Sequence, residues 1–154
     1  METKKEKYEF VLKQVEAILT DETDLIANLA NVSALLKNTF HFFWVGFYWV
    51  KNMELVLGPF QGSVACTRIA KGKGVCGLTW LKKETSIVSD VSKFKGHIAC
   101  NPHSKSEIVV PLIHQNTVVG VLDVDSDELN AFDLLDQCYL EKICHLIIKQ
   151  SVFE

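Results

Sequence analysis

Residues 42–50, FFWVGFYWV, are aromatic or β-branched at every position except Gly46, and no other segment restricts the fold of this chain so strongly. Such side chains pack well on a pleated surface, so the run predicts a strand buried on both faces. It has about half the ~20 residues that a helix needs to span a bilayer, which leaves an interior strand and no transmembrane segment. An interior strand needs partners on both edges and cover on both faces, and the rest of the chain must supply them.

The flanking sequence does so in order. Tyr8, Val11, Leu12, Val15 and Ile18 recur at helical spacing, and Leu25, Ile26, Leu29, Val32, Leu35 and Leu36 follow behind a capping residue, Thr23 or Asp24. After the aromatic strand, Lys51 and Asn52 read as a turn and residues 54–57 as a returning strand ended by Gly58 and Pro59, with residues 65–69 as a third. A short helix over 75–83 and a short strand over 85–88 precede an irregular segment, 90–105, of a length that is more often functional than idle. Strands over 107–113 and 118–124 form a hairpin, and a closing helix over 132–150 buries Leu135, Tyr139, Ile143, Leu146 and Ile147. Strands joined by short turns predict an α+β fold, a mainly antiparallel sheet with helices packed on its faces and the terminal helices against each other. With 154 residues and no linker or repeat, the expectation is a single domain over 1–154.

Sixteen Lys and Arg against nineteen Asp and Glu leave a formal charge of −3. The basic pairs Lys4–Lys5 and Lys82–Lys83 are too few to neutralise a phosphate backbone, so neither nucleic acid nor an anionic membrane is the expected partner. Glu9, Lys13 and Glu16 interrupt the N-terminal apolar pattern where a secretory signal would be continuous, which predicts a cytoplasmic protein with reduced thiols. Its cysteines at 66, 76, 100, 138 and 144 show no CxxC pair, and His97, His103 and His114 make no metal triad, so no metal site is expected.

Two acids carry the strongest chemical signal. Asp123 and Asp125 alternate with apolar residues in GVLDVDS and so project from one face of a strand. At ~4 Å and an effective dielectric near 20, two such charges repel by roughly 4 kcal/mol, so an enclosed pair calls for a cation, a shared proton or a metal. The alternative is a strand that is ending, with both acids solvated. Glu107 joins them only on a condition: a strict two-residue turn at Gln115–Asn116 sets it opposite Val124, facing away, whereas a longer loop or a bulge restores the shared face. On the aromatic strand Phe42, Trp44, Gly46, Tyr48 and Val50 share one face, and Gly46 leaves a gap between Trp44 and Tyr48 that suits a flat or methylated group. Cys138 and Cys144, inside the last helix, read as structural. Cys66, Cys76 and Cys100 stand at strand ends, beside glycines and in the irregular segment, where two thiols can meet as sulfenic acid chemistry requires.

These residues sit in motifs that resemble a known family. WVGFYWV, LVLGPFQG, GKGVCG, FKGHIAC, SKSEIVVP and GVLDVDS, between Trp44 and Ser126, are similar in order and context to the free methionine-(R)-sulfoxide reductases, which are single GAF domains. The resemblance implies a thiol oxidoreductase with Cys100 as nucleophile, Cys66 as resolving thiol and Cys76 as auxiliary thiol. It also implies a substrate pocket of Trp44, Tyr48, Glu107, Asp123 and Asp125, recycling by thioredoxin or a similar dithiol, no cofactor, and a homodimer. Asn101, after Cys100, departs from the acid that many relatives carry there. Two other classes share parts of the pattern: a GAF module that senses a small ligand, and a thiol sensor of oxidants.

Overall fold

In a computed structural model, which describes residues 1–98 and 100–151, the chain forms a six-stranded antiparallel sheet carried between two layers. Ala99, in the irregular segment, and residues 152–154 lie outside the described residues. In chain order the elements are α1 (Lys4–Leu19), α2 (Leu25–Phe40), β1 (Trp44–Lys51), β2 (Glu54–Gln61), β3 (Arg68–Ala70), α3 (Gly74–Lys82), β4 (Ser86–Val88), β5 (Ser106–His114), β6 (Thr117–Ser126) and α4 (Leu134–Gln150), with a single 3-10 turn at Val91–Lys93. The sheet order is β3-β2-β1-β6-β5-β4, which puts the aromatic strand inside with a partner on each edge. No described helix is long and apolar enough to cross a membrane.

Two separate cores flank the sheet. Tyr8, Val15, Val32 and Leu36 of the first helices and Leu140, Ile143 and Ile147 of α4 pack on Val45 and Phe47 from one side of β1. Trp44 and Tyr48 point to the other side, where Val75, Cys76 and Trp80 of α3 cover them. The helix starts are set by side-chain caps: Thr3 with Glu6 for α1, Asp24 for α2 and Asp133 with Asp136 for α4. The terminal helices are clasped through Asp136, nearly inaccessible at 2% exposure, which accepts hydrogen bonds from Tyr8 Oη at 2.6 Å and Lys4 Nζ at 2.7 Å.

Local departures from the sequence reading have identifiable causes. The β1–β2 turn is Asn52–Met53, both at positive φ, one residue later than expected and in the geometry that matches strand twist. β2 does not end at Gly58 and Pro59 but runs through them as a bulge, opposing two residues to Phe47, which accommodates a proline that cannot donate to a ladder. β3 is shorter and later than 65–69, because only the Thr67 carbonyl, accepting from the Leu57 N–H at 3.0 Å, extends the pairing with β2 and the residues before it leave the strand geometry. Phe42 packs on the helical side and Phe43 on the α3 side, the reverse of the alternation, since His41 caps α2 at φ 56° and the strand begins only at Trp44. Ile26 is 70% exposed, off the stripe of Leu25, Leu29, Val32 and Leu36, and Cys138 is exposed on α4 while Cys144 is buried as expected.

Candidate active site

The acids are brought together by strand register. The β5–β6 turn is the strict two-residue form, Gln115–Asn116 with φ 50° and 64°, and His114 pairs with Thr117 and Ile113 with Val118. Leu112 then pairs with Gly120, leaving Val119 as the extra residue of a bulge. That one-residue shift sets Glu107 opposite Asp125 and Val109 opposite Asp123, while β1 sets Trp44 opposite Asp125 and Gly46 opposite Asp123. Directly opposed residues share a face, so Trp44, Glu107, Asp123 and Asp125 all look toward α3.

α3 supplies the thiol on the other side. Cys76 lies in its first turn and is 4% exposed, and its sulfur and the carboxylate oxygens of Glu107 and Asp123 all lie within 4.8 Å of one another. Glu107 and Asp123 are each 6% exposed, and Asp123 Oδ1 is buried with no hydrogen-bond partner. Burial, followed by the charges of Asp123 and Asp125, holds the Glu107 carboxyl well above the ordinary carboxylate range. Burial and the Asp123 charge do the same to Asp125, and burial raises Asp123 against hydrogen bonds from its neighbours that pull the other way. The Cys76 thiol is likewise pushed well up by burial and by the three acids, so the gain in acidity a helix N-terminus usually gives is overridden. Three carboxyls raised in this way hold protons more readily than free ones, and a cation among them would offset their mutual repulsion.

A lid of two loops closes the site. Cys66 and Cys100 are joined by a disulfide with their Cα atoms 5.5 Å apart, tying the loop after β2 to the irregular segment. The aromatic pair holds the first of these loops by its polar tips: Trp44 Nε1 donates to the Ser63 carbonyl at 3.0 Å and Tyr48 Oη to the Cys66 carbonyl at 2.9 Å. Asn101 Nδ2 donates to Ser63 Oγ at 2.8 Å and links the second loop to the first. Gly62 passes so close to the indole that a Cβ there would stand 2.5 Å from Trp44 Cδ1, at φ 142°. The expected gap beside Gly46 is not open. A Cβ at Gly46 would lie 2.8 Å from Trp44 Cη2 and 2.3 Å from Phe60 Cβ, because the indole lies across the glycine and stacks on Phe60 at 5.2 Å. The aromatic wall is thus closed on itself, and the open space lies beyond it, a cavity of about 50 Å³ lined by Tyr48, Cys76, His97, Cys100, Glu107 and Asp125 among others. At ~10–15 Å³ for each water, that is room for a few waters in this disulfide-closed form.

Sequence reasoning named the acids, both aromatics and all three cysteines of this site. It missed His97, whose Nε2 faces Glu107 Oε1 at 3.9 Å and whose burial lowers its pKa, and it missed the Ser63–Asn101 strap. A histidine in an aperiodic segment carries no facing information, so only the fold could place it.

Residues 20–147 match the GAF domain model. The chain is 60% identical to GAF domain-containing protein A of Dictyostelium discoideum, covering 94% of this chain and 92% of that protein. It is 42% identical to the free methionine-R-sulfoxide reductase of Saccharomyces cerevisiae, over 98% of this chain and 89% of the relative. The structure of the free methionine-R-sulfoxide reductase of Neisseria meningitidis in complex with its substrate superposes with a TM-score of 0.95 at 49% identity, covering 97% and 91% of the two chains. A six-stranded antiparallel GAF sheet, likeness along nearly the whole length and a buried acid cluster under two cysteine-bearing loops agree: this chain belongs to the GAF domain family and, within it, to the free methionine-R-sulfoxide reductases.

Proposed function

We propose that the chain, as one GAF domain over residues 1–154, reduces free methionine-R-sulfoxide to methionine by a cysteine sulfenic acid and disulfide cycle. The observation that carries this reading is the coincidence, at one mouth, of a Cys66–Cys100 disulfide and an acid cluster in which Glu107 and Asp123 are buried, Asp125 is half-buried and Asp123 Oδ1 has no hydrogen-bond partner. Likeness to a sulfoxide reductase solved with its substrate supports it.

In this cycle the three acids take the ammonium of the free amino acid, which the unsatisfied Asp123 oxygen awaits. The Cys100 thiolate attacks the sulfoxide sulfur while a protonated acid of the cluster donates to the sulfoxide oxygen. The S–O bond of the substrate breaks as the protonated oxygen passes to the Cys100 sulfur, the bond between the two sulfurs breaks with its electron pair going to methionine, and methionine leaves Cys100 as a sulfenic acid. Cys66 then attacks the Cys100 sulfur, water departs, and the disulfide seen here forms. An external dithiol such as thioredoxin reduces it by exchange, with Cys76 as auxiliary thiol. No cofactor enters the balance: one sulfoxide and two thiols give one methionine, one disulfide and one water. Trp44 and Tyr48 form the wall beside the S-methyl group and hold the Cys66 loop.

The half-buried Cys66–Cys100 disulfide at the mouth suits a reducing cytoplasm that supplies dithiols, and we read the active particle as a homodimer, to be checked by sedimentation. Methionine release from the free R epimer with a thioredoxin system tests the proposal, with Cys100→Ser expected to abolish it. Peptide mapping without reductant after stoichiometric substrate should recover Cys66 linked to Cys100. Pairing of Cys100 with Cys76 instead would reassign the resolving thiol.

A further inference from the structure

We infer that the reduced protein also holds a thiophilic divalent cation of the zinc class between Cys76, Glu107 and Asp123, and that this ion and the substrate's ammonium exclude one another. The sequence shows no metal spacing, but spacing reports only ligands close in the chain. Here α3, β5 and β6 converge three buried ligand atoms, one thiol sulfur and two carboxylate oxygens, within 4.8 Å of each other. Zinc binds sulfur at about 2.3 Å and carboxylate oxygen at about 2.0–2.2 Å, so the ligands of a tetrahedral site stand roughly 3.4–3.6 Å apart. Small side-chain shifts reach that spacing.

Two further observations point to an ion. Asp123 Oδ1 is buried and has no hydrogen-bond partner, and His97 Nε2, outside the three-atom cluster, stands 3.9 Å from Glu107 Oε1, near enough to become a fourth donor after a side-chain shift. The mixed sulfur, oxygen and nitrogen set selects the ion class. Magnesium and calcium prefer six or more oxygens, whereas a thiolate with carboxylates and an imidazole suits zinc and cobalt(II). Two of the three ligands, the carboxylates of Glu107 and Asp123, are assigned above to the substrate's ammonium, so the exclusion, though not the ion site itself, rests on the proposed function. The consequence is a reductase inhibited by free zinc and relieved by its own substrate.

Cobalt(II) is the probe, added to the full chain carrying Cys66→Ser and Cys100→Ser and kept reduced with a phosphine. In that protein Cys76 is the pocket's remaining thiol among the described residues. A near-ultraviolet thiolate-to-cobalt band saturating at one ion per chain is expected. It should bleach with zinc, vanish in Cys76→Ala, survive Cys138→Ser, and need at least tenfold more cobalt in Glu107→Gln. Free methionine-R-sulfoxide should displace the ion. Cobalt binding without the band, or a band that survives Cys76→Ala in a variant with unchanged melting, overturns the site. A band that sulfoxide cannot displace, in a protein whose wild type turns sulfoxide over, overturns the exclusion. If wild-type protein free of metal releases no methionine while the band behaves as expected, the catalytic reading fails and the ion site stands.

Discussion

Glu107 stands directly opposite Asp125 across β5 and β6, and it does so because Val119 is the extra residue of a β-bulge between them and the turn. Without the bulge the register slips by one and Glu107 turns to the helical core, where its partner would be Val124. Both acids of the pair belong to the ammonium site of the proposed cycle. Asp125→Asn should therefore cut kcat/KM by about 10–150-fold, the equivalent of ~1.5–3 kcal/mol for a hydrogen bond to a charged group. A rise in KM with kcat unchanged means the residue only holds the ammonium, and an equal fall in kcat means it also gives the proton. Unchanged kinetics in this variant would remove Asp125 from the site.

Tyr48 acts through its hydroxyl on the loop that carries Cys66. Tyr48→Phe keeps the ring and removes the 2.9 Å hydrogen bond to the Cys66 carbonyl, which is worth about 0.5–1.5 kcal/mol. Closure of the disulfide should slow roughly 2- to 12-fold in stopped-flow measurement. Formation of the first methionine, an event at Cys100, should keep its rate. A slowed first step with normal closure would show that the hydroxyl serves substrate and not the loop.

The acid cluster fixes the sign of a pH effect on stability. Glu107, Asp123 and Asp125 all titrate above their ordinary values in the native state, so over that interval the folded chain binds more protons than the unfolded one. Their contribution is complete below about pH 4, the unfolded carboxylate range, and is lost as pH rises through the raised native values. His97, with its pKa lowered, contributes in the opposite direction. Comparing wild type with Glu107→Gln, both reduced and free of substrate, isolates the acids. The melting temperature of wild type should fall more steeply with rising pH than that of the variant, and parallel curves would contradict the assignment.

Far from the pocket, Tyr8→Phe removes the hydroxyl that donates to Oδ1 of the buried Asp136 carboxylate, while Lys4 Nζ and the Asp133 N–H continue to donate to Oδ2. The expected loss is about 1–3 kcal/mol, or roughly 2–12 °C in melting temperature for a chain of this size, with turnover unchanged. A change in turnover without one in melting would mean that the clasp between α1 and α4 communicates with the site.

What the sequence revealed and what it hid follow from the range of each signal. The interior strand is legible because eight aromatic or β-branched residues in a run of nine leave few alternatives, and the faces of Trp44 and Tyr48 follow from the period of the pleat. Asp123 and Asp125 were legible for the same reason. Glu107 was legible only as a condition, since a bulge at Val119 leaves no mark in composition. The closure of the Gly46 gap by Trp44 and Phe60 depends on a neighbouring strand whose continuation through Gly58 and Pro59 looked like a stop. His97, and the convergence of Cys76 on the acids, depend on how α3 and an aperiodic loop lie over the sheet, which no local pattern encodes.

The most direct test of the central claim compares free methionine-R-sulfoxide with its N-acetyl form under one dithiol reductant. Acetylation removes the positive charge that the proposed cycle assigns to the Glu107, Asp123 and Asp125 cluster, and leaving its buried acids without that partner costs several kcal/mol. The free amino acid should turn over at least about a hundredfold faster in kcat/KM, a gap of ~2.7 kcal/mol, and Cys100→Ser should turn over neither. Equal rates on the two substrates, or methionine released by Cys100→Ser, would contradict the account.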